Sequence, residues 1–333
     1  MFSLKRFWSR ALLIIFNLSF FIIPARAQFW HVLPPLSDSD AISASFSNDQ
    51  KKVFFIHREA GVANVWSTVI MDKYGGIIAG PKNIPTQVTR YTDRGIVRFI
   101  HLLNRPEIVF MRATENGKDF HIYRMKDDGS EQPQDLTPTG AGVTNTIIGA
   151  SYNGRYIYYT NNAVHSDKLD CYHYDTQQFT SDLIFPNDKD YEVLAWTHDQ
   201  NKLLVEDPEA NTLMYYNIET TERTPELVNA GERLRYVSID PSTFKIETFD
   251  FKDGIHMPFW EDYSPNGKYM LKEEAGKWSV KDGSGTNTML PLPDGVRPIA
   301  IAPKETLLVY LYGSKFYLYD ITKNANAELG SVQ

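Results

Sequence analysis

One short phrase recurs seven times along the chain and restricts the fold more than any other feature. It begins with a small or apolar residue, then any residue, then Asn or Asp. A hydrophobic residue follows four places after the Asn or Asp. The clearest copies are Ser151-Tyr152-Asn153-Gly154-Arg155-Tyr156-Ile157 and Ser264-Pro265-Asn266-Gly267-Lys268-Tyr269-Met270. Looser copies run from Ser47-Asn48-Asp49 to Val53, from Thr197-His198-Asp199 to Leu203 and from Ser238-Ile239-Asp240 to Phe244. Degenerate copies run from Leu102-Leu103-Asn104 to Ile108 and from Ile301-Ala302-Pro303 to Leu307. Each separates two apolar runs and so reads as a turn between strands. Asn-Gly suits a tight hairpin in which both central residues take positive φ.

The third residues of the copies, at 49, 104, 153, 199, 240, 266 and 303, are separated by 55, 49, 46, 41, 26 and 37 residues. A four-stranded propeller blade needs roughly 40–50 residues. A second phrase lies downstream of most copies: an aromatic strand ending in Asp or Asn, as in Tyr172-His173-Tyr174-Asp175, Tyr215-Tyr216-Asn217 and Phe316-Tyr317-Leu318-Tyr319-Asp320. Polar fourth strands follow, as at Pro133–Thr137 and Thr180–Ile184. The fold expected is therefore all-β, a β-propeller over residues 41–333 with seven repeats. The fifth repeat, roughly Arg233 to Gly254, lacks a third and fourth strand. Six full blades with one truncated blade and six blades with an inserted hairpin both satisfy this spacing. No stretch shows the 3.6-residue period of an amphipathic helix.

Residues 1–27 read as a cleavable export signal. Lys5, Arg6 and Arg10 precede a 13-residue apolar stretch, Ala11 to Ile23, and Ala25-Arg26-Ala27 is a small-x-small cleavage site. Thirteen apolar residues fall short of the ~20 that span a bilayer. No later stretch is apolar enough to span one. Residues 28–40 form an extension whose Phe29–Leu33 piece is expected to help close the ring. Closure matters because an open sheet leaves unpaired edges. Removing the four basic residues of the leader from the 34 Lys and Arg leaves 30 against 41 acidic residues, a net charge of −11. An acidic chain without a basic stripe is not built for nucleic acid. Cys171 is the single cysteine, so no intramolecular disulfide forms, and its place in an aromatic strand makes it a buried apolar residue. The only Asn-x-Ser/Thr sequon, at Asn17, lies in the leader. Together these features point to a Gram-negative periplasm.

The Ser-Pro-Asn-Gly-Lys phrase at 264–268, the near copy at 151–155, the Asp128-Gly129-Ser130 turn and the closing Asp135-Leu136-Thr137 resemble the repeats of TolB-type and prolyl-oligopeptidase-type propellers. The resemblance covers about residues 41–333 and implies the fold. It is expected to stop at the propeller, without the α/β domain that precedes it in TolB or the hydrolase domain of the peptidases. Function resides in sites placed on folds, so the resemblance implies no activity.

Residue patterns for catalysis are absent. There is no Gly-x-Ser-x-Gly elbow, no His-Glu-x-x-His, no phosphate loop and no EF-hand loop. Asn187-Asp188-Lys189-Asp190 lacks the glycine and distal Glu of a calcium loop. First strands line the central channel of a propeller, and an enzyme would need several carboxylates or histidines at matching places there. These strands instead carry Ser43, Ser45, Ile147, Val193, Ala195 and Ile299. His101 and His256 lie on presumptive first strands. Arg98, Arg235 and Arg297 begin first strands, six, five and six residues before their turn residues. Side chains alternate with period two, so Arg98 and Arg297 share a face and Arg235 joins them only through a bulge. Converging arginines would bind a carboxylate or other anion. These five residues are the candidate binding positions at the channel mouth, with no catalytic residue, metal or cofactor. The reading is an exported scaffold or adaptor that binds other envelope proteins, in a Tol-like system or a secretion apparatus. Its rivals are a propeller hydrolase, lyase or lactonase and a small-ligand or glycan sensor.

Overall fold

The computed structural model describes residues 44–74, 76–78, 84–102, 105–151, 153–196, 200–207, 209–210, 212–226, 237–239, 246–248, 269–282, 286–302 and 306–331. They contain 25 strands and no helix. The first sheet is β1 (Ala44–Phe46), β2 (Lys52–Glu59), β3 (Val62–Val69) and β4 (Thr86–Gln87). The second is β5 (Ile96–His101), β6 (Glu107–Ala113), β7 (Phe120–Lys126) and β8 (Gln134–Asp135). The third is β9 (Asn145–Ala150), β10 (Tyr156–Asn161), β11 (Asp170–Asp175) and β12 (Thr180–Phe185). The fourth is β13 (Glu192–Trp196), β14 (Lys202–Asp207), β15 (Thr212–Asn217) and β16 (Arg223–Glu226). Two strands, β17 (Val237–Ile239) and β18 (Ile246–Thr248), follow where the short repeat was expected. Then come β19 (Tyr269–Glu274), β20 (Lys277–Asp282) and β21 (Asn287–Met289), and finally the four strands β22 (Arg297–Ile301), β23 (Leu307–Tyr312), β24 (Lys315–Asp320) and β25 (Ala325–Ser331). Each sheet is an antiparallel meander, as propeller blades are.

The recurring phrase is a six-residue loop, not the two-residue hairpin its Asn-Gly pair suggests. Ser151 N donates to Tyr156 O at 2.8 Å, and Gly154 N to Ser151 O at 2.8 Å. The Asn153 side chain accepts from Ser151 Oγ at 2.7 Å and from Arg155 N at 3.0 Å. Of the Asn-Gly pair only Gly154 has positive φ, +67°. In the first sheet Asp49 accepts likewise from Ser47 Oγ and Lys51 N, and Gln50 takes φ +59°. Gln200 takes the same place with φ +65°. The Asn or Asp is thus selected because its short carboxyl or amide caps the loop. The degenerate copies keep the backbone closure, Leu102 N to Glu107 O at 2.9 Å and Ala302 N to Leu307 O at 2.8 Å. Residues 264–268 lie outside the described residues.

The Asp or Asn that ends each aromatic strand has a similar reason. Asp175 Oδ1 accepts from Gln177 N and Gln178 N, Asn217 Oδ1 from Glu219 N and Thr220 N, and Asp320 Oδ1 from Thr322 N and Lys323 N. The turn then closes through positive φ at Phe179, Thr221 and Asn324. The closing Thr137 accepts from Ile122 N at 2.9 Å, and Thr89 of the first sheet from Val65 N at 2.9 Å.

Large apolar side chains fill the seams between successive sheets. Val97, Val109 and Met111 of the second sheet pack on Ile147, Ile157 and Tyr159 of the third. Ala44, Phe46, Val53 and Phe55 of the first pack on Leu307, Val309, Phe316 and Leu318 of the last, so packing closes the two ends of the chain on each other. The last sheet draws all four of its strands from residues 297–331. The Phe29–Leu33 piece expected to assist closure lies outside the described residues. Cys171 is fully buried, and burial pushes its thiol well above the ordinary range.

These turns make the fold sensitive to acid. Burial works to raise the carboxyl of Asp175, but the Arg155 guanidinium at 2.8 Å and two backbone N–H groups outweigh it and hold it below its usual value. Burial likewise works to raise the Asp320 carboxyl, and the Thr322 and Lys323 donors outweigh it and hold the group below its usual value. Burial lowers the His173 imidazole against the pull of Asp182. Depressed carboxyls stabilise the fold above their unfolded values, about 3.9, and lose that contribution as pH falls through their folded values. A lowered histidine acts in the same direction, since the unfolded chain takes up its proton first below about pH 6.5. Urea midpoints should therefore fall between pH 7 and 5 and more steeply below pH 4. Midpoints that stay flat down to pH 3 would contradict these assignments.

Candidate functional site

Counting ladder rungs outward from the six-residue loops places the candidate residues. In the second sheet the rungs are His101–Ile108, Ile100–Val109, Phe99–Phe110 and Arg98–Met111. In the last they are Ile301–Leu308, Ala300–Val309, Pro298–Tyr310 and Arg297–Leu311. Arg98 and Arg297 therefore share a rung, as their spacing predicts. The agreement comes from two offsets that cancel. The last loop starts one residue later in its phrase than the second loop does. A bulge between Pro298 and Ala300 then adds one residue to β22, whereas the bulge of β5 lies beyond Arg98.

Facing residues of an antiparallel pair share one side of the sheet. Met111 packs in the seam toward the third sheet, so Arg98 belongs to that side. Its Nη2 donates to the carbonyl of Ile148, the bulged residue of β9, at 3.5 Å. Arg98 is half-buried and reaches from one innermost strand to the next. Leu311 packs in the seam toward the first sheet, and Arg297 is placed on its rung by register. The two arginine rungs thus belong to the sheets on either side of the first sheet.

The same rung holds Thr146, opposite Thr160, in the third sheet and Glu192, opposite Glu206, in the fourth. Glu192 is a buried carboxylate on an innermost strand that the sequence reading missed. It lies seven residues before Asp199 instead of six, because β13 carries a bulge between Val193 and Ala195. A spacing rule that allowed one inserted residue would have found it.

His101 does not line the channel mouth. Its side chain is 1% exposed, its Nε2 lies 2.8 Å from Asp127 Oδ2, and its ring stacks on Phe54 of the first sheet at 5.0 Å. The strand assignment was right. The direction was not, because this rung faces the seam between the first and second sheets. His121, His165 and His173 also pair with single aspartates, Asp135, Asp170 and Asp182, at 2.7, 3.4 and 3.4 Å. Among the described residues no three His, Cys, Asp or Glu side chains gather as a metal site. Arg235 and His256 lie outside the described residues. His57 lies on β2, with its ring edge-on to Trp66 at 5.3 Å.

Seamed four-stranded meanders with the first packed on the last define a β-propeller, the class expected from the repeats. No protein-family model matches the sequence, and no curated protein does. Among solved structures the fold is similar to oligogalacturonate lyase from Vibrio parahaemolyticus, with a TM-score of 0.51 at 12% identity over 80% of this chain and 84% of that one. It is also similar to TolB from Acinetobacter baumannii, with a TM-score of 0.43 at 15% identity over 77% of this chain. A third likeness is to dipeptidyl peptidase 4 from Porphyromonas gingivalis, with a TM-score of 0.42 at 11% identity over 88% of this chain. The chain spans 55% of the length of that TolB and 52% of that peptidase. At such identities the likeness is one of fold.

Proposed function

We propose that this protein is an exported, non-catalytic propeller that serves as a protein-binding scaffold or adaptor in a Gram-negative cell-envelope complex. The basic, apolar and small-x-small pattern of residues 1–27 supports residence in the periplasm. The observation that supports docking is the common rung of Arg98 and Arg297 on innermost strands of the sheets flanking the first one. Guanidinium groups on a rigid frame bind carboxylates with little ordering cost. The partner is an acidic segment of another envelope protein. Among the described residues no helix is long and apolar enough to cross a membrane.

Changing Arg98 and Arg297 together to alanine should weaken capture of an acidic peptide at low salt and leave the melting temperature close to that of the parent. The loss should shrink as salt rises, because salt screens charge attraction over a length of roughly 10 Å at 0.1 M. Titrating a fluorescent poly-glutamate peptide into parent and double variant tests this. Equal affinities at low salt would place the docking face elsewhere. Turnover of a carbohydrate or peptide substrate by the purified protein would replace the scaffold reading with an enzymatic one.

A further inference from the structure

In a meander the turns between second and third strands, and the connections from a fourth strand to the next first strand, emerge on the same face of the ring. Formal charge is divided unevenly over that face. On the first two sheets it comprises residues 58–61, 90–94 and 112–119, whose charged side chains outside the core are Arg58, Arg90, Arg94, Arg112 and Lys118 against Glu59, Asp93 and Glu115, a net charge of +2. On the third and fourth sheets it comprises residues 162–169, 186–191 and 206–210, whose charged side chains outside the core are Asp167, Asp188, Asp190, Glu206, Asp207 and Glu209 against Lys168 and Lys189, a net charge of −4. Between them lies the connection 138–144, Pro-Thr-Gly-Ala-Gly-Val-Thr, with no charge.

Both arcs are held in place by their own folds. Arg94 donates from Nη1 to the carbonyl of Thr114 at the next turn, and the Arg112 guanidinium lies 4.1 Å from the Tyr91 ring centre while pairing with Asp93 at 2.6 Å. On the other arc the buried Asn187 accepts from Tyr191 N at 3.1 Å and donates to Leu169 O and Tyr191 O at 3.1 and 2.9 Å. That fixes the connection bearing Asp188 and Asp190. Arg90, Lys118, Asp167, Asp190 and Glu209 are exposed on the two arcs.

A face with one cationic and one anionic arc is complementary to itself under a two-fold rotation, the operation that generates most homodimers. We propose that this face pairs with the same face of a second copy, the cationic arc of each lying on the carboxylate arc of the other. The pairing is separate from the docking of an acidic partner through Arg98 and Arg297. The mature chain's net charge of −11 makes salt response diagnostic. Overall repulsion is relieved by salt, so association through apolar contact would strengthen as salt is added. Association through opposed arcs weakens instead.

Sedimentation equilibrium of the mature chain at about 0.02 M and about 0.5 M salt, conditions with long and short screening lengths, reads this directly. Concentration-dependent dimerisation is expected at low salt and its loss at high salt. The reversals Arg90→Glu with Lys118→Glu, or Asp167→Lys with Asp190→Lys, should each weaken dimerisation on the order of tenfold or more, because like charges then oppose. Carrying all four changes in one chain should restore it. Mixing the two double variants should give a heterodimer. A protein that stays monomeric at low salt, or a dimer insensitive to salt and to both reversals, overturns the proposal. Melting temperatures of the variants separate lost pairing from lost folding. Arg90→Gln and Asp190→Asn serve if a reversal unfolds. Every variant keeps Arg98 and Arg297, so capture of poly-glutamate remains a separate reading.

Discussion

Phe316→Ala should lower the stability of the protein by about 3–5 kcal/mol, the range for deleting a buried phenylalanine. Phe316 is fully buried on β24, and its ring lies 5.4 Å from that of Phe55 on β2. The first of these strands belongs to the last sheet and the second to the first sheet, so the pair joins the two ends of the chain. The surrounding residues Val53, Val309 and Leu318 are themselves held in strand ladders and cannot collapse into the space. A Phe55→Ala change should cost a similar amount, and the double variant less than the sum, because both remove the same contact. Urea unfolding with an unchanged slope measures it. A loss below about 1 kcal/mol would show that the ends are closed by something else.

Gly95→Val should be the most damaging glycine substitution. A Cβ built on Gly95 would lie 2.5 Å from the backbone nitrogen of Ala63 and 2.9 Å from its carbonyl oxygen. Those are main-chain atoms of β3, fixed by pairing with β2, so the first and second sheets would have to separate. Overpacking typically costs 1–3 kcal/mol and sometimes more, and rigid backbone belongs to the upper end. The position also immediately precedes β5, the strand that carries Arg98. A partly folded variant should therefore lose anion binding along with stability. Thermal unfolding and peptide titration on the same sample check both. A melting temperature equal to the parent would mean that the sheets are not in this close contact.

Gly154, by contrast, lies in a phrase that the sequence displays openly, yet its place is taken by Gln50 and Gln200 in other loops. Gly95 belongs to no repeated phrase, and its importance appears only when the first sheet is set beside it. The sequence showed where chains turn because turning is a local matter: a short polar side chain must cap a loop, and one residue must take positive φ. It could not show which glycine faces a neighbouring backbone, because that neighbour is 32 residues away in sequence.

Spacing and local chemistry by themselves determined the all-β repeat and the ends of the third strands at Asp175, Asn217 and Asp320. They also placed Arg98 and Arg297 on one rung, though only because a shifted loop start and a bulge offset each other. The tertiary structure decided the rest. It turned His101 from a channel residue into a seam residue, because alternate rungs of an innermost strand face the sheets on either side of it, and rung and bulge are not written in residue type. It brought Glu192 onto the arginine rung by inserting one residue into β13. It also gathered charges from six separate connections into two arcs on one face, a pattern invisible along the chain because those connections come to one face only when each sheet folds as a meander.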